Sequence, residues 1–239
     1  EKRIMRAARK HSFRESGEGR GLLMLEIDGL SYWHMQAALA EGAMPTLREM
    51  MDRGGYVLSH VDCGLPSQTS ACQAGIMFGD NYDIPSFRWY DKDKQKLYVS
   101  GHDAPELNGR YSTGAGLMAG GSSINNMMAG DAEKSMLTMA NLLSGNPEEK
   151  KRRAEDVYLL MLDPYFFMRT IARFLGESAL DVWQYFKQKQ ANVQPRLNRL
   201  HGGYPFIRAA TTVLMRDLAA SLVKLDVLRG SPSIYTTFV

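Results

Sequence analysis

The stretch Cys63-Gly64-Leu65-Pro66-Ser67-Gln68-Thr69-Ser70-Ala71-Cys72-Gln73-Ala74-Gly75 concentrates the residues best suited to chemistry. Three hydroxyls, Ser67, Thr69 and Ser70, fall in a turn that follows an apolar run, Tyr56 to Val61. A small-residue and apolar segment, Ala71 to Phe78, follows the turn. The run reads as a strand and the segment as a helix. The hydroxyls then lie where a strand ends and a helix begins, the edge at which open α/β sheets bind ligands. A helix N-terminus favours negative charge, because its first N–H groups lack partners and its dipole is positive there. The chemistry expected is binding or cleavage of phosphate- or sulfate-like esters.

The elements that must position this turn can be read in order. Leu22 to Gly29 is a near-continuous apolar run ending in Asp28-Gly29, as expected of a central parallel strand covered on both faces. Asp28 then shares the sheet edge of the Pro66–Thr69 turn, although an acid there can also simply cap the next helix. Helices are expected from Ser31 to Glu41 and from Pro45 to Gly54-Gly55. Gly79 to Asp91 reads as an aromatic and charged loop, and Leu97 to Ser100 and Leu117 to Gly121 as short strands. The second leads to the polar turn Ser122-Ser123-Ile124-Asn125-Asn126. Asp131 is expected to cap a helix carrying Met136, Leu137, Ala140 and Leu143, closed by Gly145.

After Asn146 the character changes. Glu148 to Glu155 is a charge run and Val157 to Leu162 is apolar. Asp163-Pro164 has the form of an N-cap and first helical residue. Helices follow over Tyr165–Leu175, Ser178–Lys189 and Tyr204–Leu228, the last with a leucine-rich stripe at three- and four-residue steps. Ser233 to Val239 closes as a strand. The aromatic and basic block from Tyr165 to Arg208 reads most plainly as a packed helical insertion. Its alternative is a peripheral membrane or partner-binding surface. The alternation implies an α/β fold with a mostly parallel sheet and helices on both faces.

Composition narrows the class. A chain of 239 residues can bury a sizeable core, and a net charge of +3 argues against a dedicated nucleic-acid-binding module. Cys63 and Cys72 match neither a zinc knuckle nor a disulfide framework. Glu1 to Gly21 reads as a basic flexible tail without the apolar centre of a signal peptide, and no run is long enough to span a membrane. The chain does not begin with Met, which suggests an excised piece.

Three motifs in order, Leu25-Glu26-Ile27-Asp28-Gly29-Leu30, Met44-Pro45-Thr46-Leu47 and Leu65-Pro66-Ser67-Gln68-Thr69, resemble the alkaline phosphatase superfamily, specifically its type I phosphodiesterase/nucleotide pyrophosphatase branch. Asp83-Ile84-Pro85-Ser86-Phe87-Arg88-Trp89-Tyr90-Asp91 is similar to a stretch of a bacterial, often membrane-associated group in that branch. The resemblance covers most of the chain after Gly21. It implies an alkaline-phosphatase-like catalytic domain over 22–239 with a helical insertion near 148–229. It also implies a phosphate-ester hydrolase with two divalent metal ions, usually zinc. By position Asp28 and Thr69 are the implied metal ligands, and Thr69 the nucleophile that forms a phospho-threonine intermediate; Ser67 and Ser70 are its rivals. Where the family often has Asn, three residues after the nucleophile, this chain has Cys72. Gln73 is the nearest amide, and Cys72, Gln73 and Asn126 are the candidate substrate-binding residues. The family's remaining metal ligands follow the strand that here is Ser233 to Val239, so the domain is expected to be incomplete and this chain inactive by itself. The five histidines, His11, His34, His60, His102 and His201, lack the family's ligand spacing, and His34 alone lies close behind Asp28. Thr69 cannot become the formylglycine of a sulfatase. The contrasting expectation is a non-catalytic membrane-surface or partner-binding module.

Overall fold

A computed structural model describes residues 20–79, 84, 86–142, 147–161 and 163–238. The basic tail expected over 1–21 lies almost wholly outside them, as do Leu143, Gly145 and Val239. The fold is α/β. Four strands form one sheet in the order β1 (Leu22–Ile27), β6 (Ser233–Phe238), β4 (Ser122–Ile124) and β5 (Lys134–Met136). All three pairings are parallel, with Leu22 opposite Ser233, Ser122 opposite Ile234 and Ser122 opposite Lys134. A separate hairpin joins β2 (Arg88–Asp91) to β3 (Lys96–Val99).

The alternation of β6 sends its side chains into two cores. Ile234 and Phe238 pack with Ile124, Met136 and the helices α6 (Pro147–Met161) and α9 (Arg216–Leu228), through Leu160, Leu218, Leu222 and Leu225. Tyr235 faces the other way, onto Met77 of α3 (Thr69–Phe78), Leu107 of α4 (Ala104–Tyr111), Tyr98 of β3, and Met118 and Met128. The central strand β6 is thus covered on both faces, and α9 is the crossover helix that returns the chain to it.

Local signals set several boundaries. Ser31 caps α1 (Tyr32–Ala40), its Oγ accepting from the His34 N–H at 3.3 Å. Pro45 opens α2 (Pro45–Asp52). Asp163 caps α7 (Pro164–Gln190) by accepting from the Tyr165 N–H at 3.0 Å. Gly79 ends α3 at φ +76°, a conformation that glycine adopts without a Cβ clash.

Other expectations are corrected. Tyr56 to Val61 is not a strand; it runs as irregular backbone with Tyr56, Val57 and Val61 exposed. Apolar β-formers extend into a ladder only where a partner strand offers one, and none of the described strands pairs with this run. In consequence β1 is an edge strand rather than a central one, and Leu23, Leu25 and Ile27 remain exposed on its α9 side. Leu117 to Gly121 forms turns, and the strand begins at Ser122. Asp131 caps no helix. Its carboxylate accepts from the Ser112 hydroxyl and from the N–H groups of Thr113, Gly114 and Gly116, so it fixes that loop instead. Met136 ends β5, and the helix after it, α5, is only Met139–Leu142. Arg88 to Asp91 is a hairpin strand rather than loop. The two helices expected over 165–189 are one helix, α7. The helix expected from Tyr204 to Leu228 is α8 (Tyr204–Ala209), a π-helical segment (Ala210–Met215) and α9 in unbroken succession.

Candidate functional site

Asp28 follows the last residue of β1, and its backbone N–H donates to the Phe238 carbonyl at 2.9 Å. Thr69 is the first residue of α3. Forty-one positions apart, the two side chains meet: the Thr69 hydroxyl donates to Asp28 Oδ1 at 3.0 Å. Both line a cleft of about 640 Å³ at the C-terminal edge of the parallel strands. Its polar lining is Ser67, Gln68, Ser70, Gln73, Asn125, Asn126 and Thr237, and its apolar lining Phe87, Met127, Leu137, Met139 and Met215. Met215 closes the π-helical segment, where the widened turn shifts the register of the side chains that follow.

The start of α3 has the character of an anion site. Gln68 is its N-cap, in extended conformation, and its side chain makes no capping bond to the helix. The first intrahelical bond runs from the Cys72 N–H to the Gln68 carbonyl at 2.9 Å. The N–H groups of Thr69, Ser70 and Ala71 therefore have no intrahelical partner. Ser70 is buried on the same turn, and its hydroxyl has no hydrogen-bond partner among the described residues. A bound oxyanion would satisfy both deficits.

The Gln68 side chain turns away from the helix. Its Oε1 accepts from the Ser86 hydroxyl at 2.8 Å and from the Phe87 N–H at 3.0 Å, which brings Phe87 to the cleft. Sequence reasoning assigned Gln68 no role.

The candidate substrate amides are otherwise engaged. Gln73 is fully buried, donates to Thr237 Oγ1 at 2.8 Å and to Glu26 Oε2 at 3.3 Å, and accepts from the Met127 N–H at 2.8 Å. Asn126 donates to Ser123 Oγ at 2.9 Å and to the Tyr235 carbonyl at 3.0 Å. The Thr237 hydroxyl lies 2.7 Å from Asn126 Oδ1 and 2.9 Å from Glu26 Oε2. Tyr235 donates to Glu26 Oε2 at 2.5 Å. Burial, and then the Glu26 carboxylate, push the Tyr235 phenol far above its usual range, so it stays a donor. Gln73 and Asn126 line the cleft as well, and through these bonds they belong to a polar layer at its floor that ties α3, β1, β4 and β6 together. Asn125, which sequence reasoning passed over, adopts φ +56° and donates to the Thr237 carbonyl at 2.6 Å. A turn asparagine that tolerates the left-handed region was the available signal.

Cys72 is half-buried and Cys63 exposed, and both thiols are free. Burial, and then the neighbouring Cys63, raise the Cys72 pKa, so its thiol is a poor nucleophile at neutral pH. His34 Nδ1 lies 2.8 Å from Ser31 Oγ within the first turn of α1. His60 packs against the rings of Tyr32 and Trp33.

A zinc centre takes at least three protein ligands. Asp28 and Thr69 supply two oxygen donors, and among the described residues no three His, Cys, Asp or Glu side chains converge. These residues do not by themselves fit the two-metal centre that the resemblance implies. No family model, curated protein or solved structure matches the chain.

Proposed function

We propose that the cleft is a phosphoryl-transfer site, that of a phosphate-ester hydrolase of the alkaline phosphatase type with Thr69 as nucleophile. The observation that carries the reading is the Thr69–Asp28 hydrogen bond at the uncapped start of α3. A free hydroxyl is a weak nucleophile and must be activated by an adjacent base or a metal; Asp28 is the base in contact with it. Non-bridging oxygens of the ester accept from the first N–H groups of α3 and from Ser70. Thr69 Oγ1 attacks phosphorus as its proton passes to Asp28, the P–O bond to the leaving group breaks, and the departing alkoxide takes a proton from solvent water. Water then cleaves the phospho-threonine. The helix terminus holds the developing charge with preset dipoles, the kind of stabilisation that usually contributes most in such reactions.

Two measurements test the reading. Titration of the isotopically labelled chain with inorganic phosphate is expected to shift the amides of Thr69, Ser70 and Ala71 before any others. Any hydrolysis of bis(4-nitrophenyl) phosphate that the chain shows, with or without added divalent metal, is expected to fall at least about 100-fold in Thr69→Ala. Amide shifts confined to another part of the chain, or hydrolysis unchanged in both Thr69→Ala and Asp28→Asn, would refute it.

A further inference from the structure

The 27-residue helix α7 is amphipathic in the reverse sense. Its inward stripe is largely polar: Phe166, Thr170, Ser178 and Asp181 are buried. Asp181, fully inaccessible, pairs with Arg199 and with Arg208 at 2.8 Å. Thr170 and Arg173 hold the buried Asp217 of α9 at 3.1 and 3.3 Å. The outward stripe is Tyr165, Met168, Ile171, Leu175, Trp183 and Phe186, each exposed, with Tyr165 at 72% and Trp183 at 56%. At 100° per residue these six fall within an arc of about 120°. The helix cannot roll to hide them without tearing the buried ion pairs apart.

The charges around this face share one sign. The only acids of α7 are Glu177 and Asp181, and both turn to Arg208 on the inner side. Lys187 and Lys189 stand at the borders of the apolar arc, in the last turn, and Lys187 Nζ lies 4.8 Å from the centre of the Trp183 ring. Phe206 and Ile207 of α8 add exposed apolar surface beside α7. Among the described residues no helix is long and apolar enough to cross a membrane. A helix with an apolar arc, interfacial aromatics, basic borders and no acid on the exposed face has the composition of one that lies in the surface of a bilayer.

We infer that the outward face of α7 docks the protein on an anionic membrane surface, the helix lying parallel to it. Charge complementarity argues for lipid of negative headgroup: Lys187 and Lys189 border an apolar arc that carries no carboxylate to repel it. The inference is independent of the chemistry at Thr69.

The test is co-sedimentation of the 239-residue chain with vesicles of phosphatidylcholine alone or mixed with phosphatidylglycerol. Binding is expected to the anionic vesicles, weakening as salt rises. Trp183→Ser with Phe186→Ser is expected to lower it at least about tenfold. A basic residue at an anionic surface strengthens binding about fivefold, so Lys187→Gln with Lys189→Gln should lower it about 25-fold. These side chains are exposed, so circular dichroism and melting temperature should stay as in the parent. Trp33→Ser, which removes an exposed aromatic elsewhere, should leave binding unchanged. Absence of binding, equal binding by the α7 variants, or an equal loss in Trp33→Ser overturns the inference. So does a dimer in light scattering that the Trp183→Ser, Phe186→Ser variant abolishes, which would assign the face to self-association.

Discussion

Replacing Gln73 by Leu separates a strut from a substrate ligand. The change keeps bulk and helix propensity but removes two donors and one acceptor from a fully buried position. Glu26 keeps Tyr235 and Thr237 as partners, so its loss is partial. The Met127 N–H loses its acceptor, and an orphaned buried donor costs about 1–3 kcal/mol. The bond to the Glu26 carboxylate, long at 3.3 Å, belongs at the low end of about 1.5–3 kcal/mol for charge-assisted bonds. Better burial of the apolar side chain offsets about 1 kcal/mol. The net is about 3 kcal/mol, or a fall of about 6–12 °C in melting temperature for a chain of this size. Gln73→Glu should be worse near neutral pH, because it sets a second carboxylate against Glu26. That repulsion disappears once acid neutralises the introduced carboxyl, so the deficit shrinks at lower pH. Melting followed by circular dichroism at pH 7 and pH 5 reads both effects. A Gln73→Leu melting point within about 1 °C of the parent, together with a large fall in phosphate affinity, would refute the strut and make Gln73 a ligand.

Further predictions concern other buried features. Asp156 accepts from Arg229 at 2.7 and 3.1 Å and lies 2.6 Å from Lys134 Nζ, and both cations also hold Asp226. Burial works to raise the Asp156 pKa, but the hydrogen bonds and charges of Arg229 and Lys134 outweigh it and the net shift is downward. Its contribution is therefore complete above the unfolded value near 4 and is lost as pH falls through the lower folded value. Asp156→Asn should cost about 3–5 kcal/mol in urea unfolding at pH 7, and clearly less at pH 2. Gly121→Ala drives a methyl group into the Ser233 carbonyl and hydroxyl where β4 meets β6; a loss of about 1–3 kcal/mol in the same assay is expected. Calorimetry of the 239-residue chain with zinc should show no pair of tight sites, and two such sites would overturn the account of the donors around Asp28.

What the sequence disclosed was the chemistry that acts within a few residues. Ser31, Pro45, Asp163 and Gly79 set helix ends through groups one to four positions away, and each lies at the end it was expected to mark. The strands Leu22–Ile27 and Ser233–Phe238 were legible as strands, but their places in the sheet were not. The apolar run Leu22–Ile27 is the open edge, while Ser233–Phe238, with two threonines, is central. Order in a sheet depends on partners more than a hundred residues away, and Tyr56 to Val61 shows that β-propensity without a partner does not make a strand. For α7 the helical period was visible but not its phase. Its inner face is chosen by Arg199, Arg208 and Asp217, outside the segment whose pattern was read.

The same distinction separates the two halves of the candidate site. Asp28 and Thr69 could be brought together on paper because each ends or begins an element at one edge of a parallel sheet, and the fold class alone places that edge. Gln73 and Asn126 invited a substrate role because free amides near a hydroxyl suit a phosphoryl oxygen. Their partners Thr237 and Tyr235 arrive on β6, more than a hundred residues later, and occupy those amides. The consequence is mechanical. Glu26, Gln73, Asn126 and Thr237 join α3 to β1, β4 and β6 directly under the Thr69 turn. The start of α3 is thereby fixed relative to Asp28 before any ester arrives. A helix terminus that must stabilise charge without reorganising needs that kind of support, so on the proposed reading the buried amides serve the site by holding α3 in place.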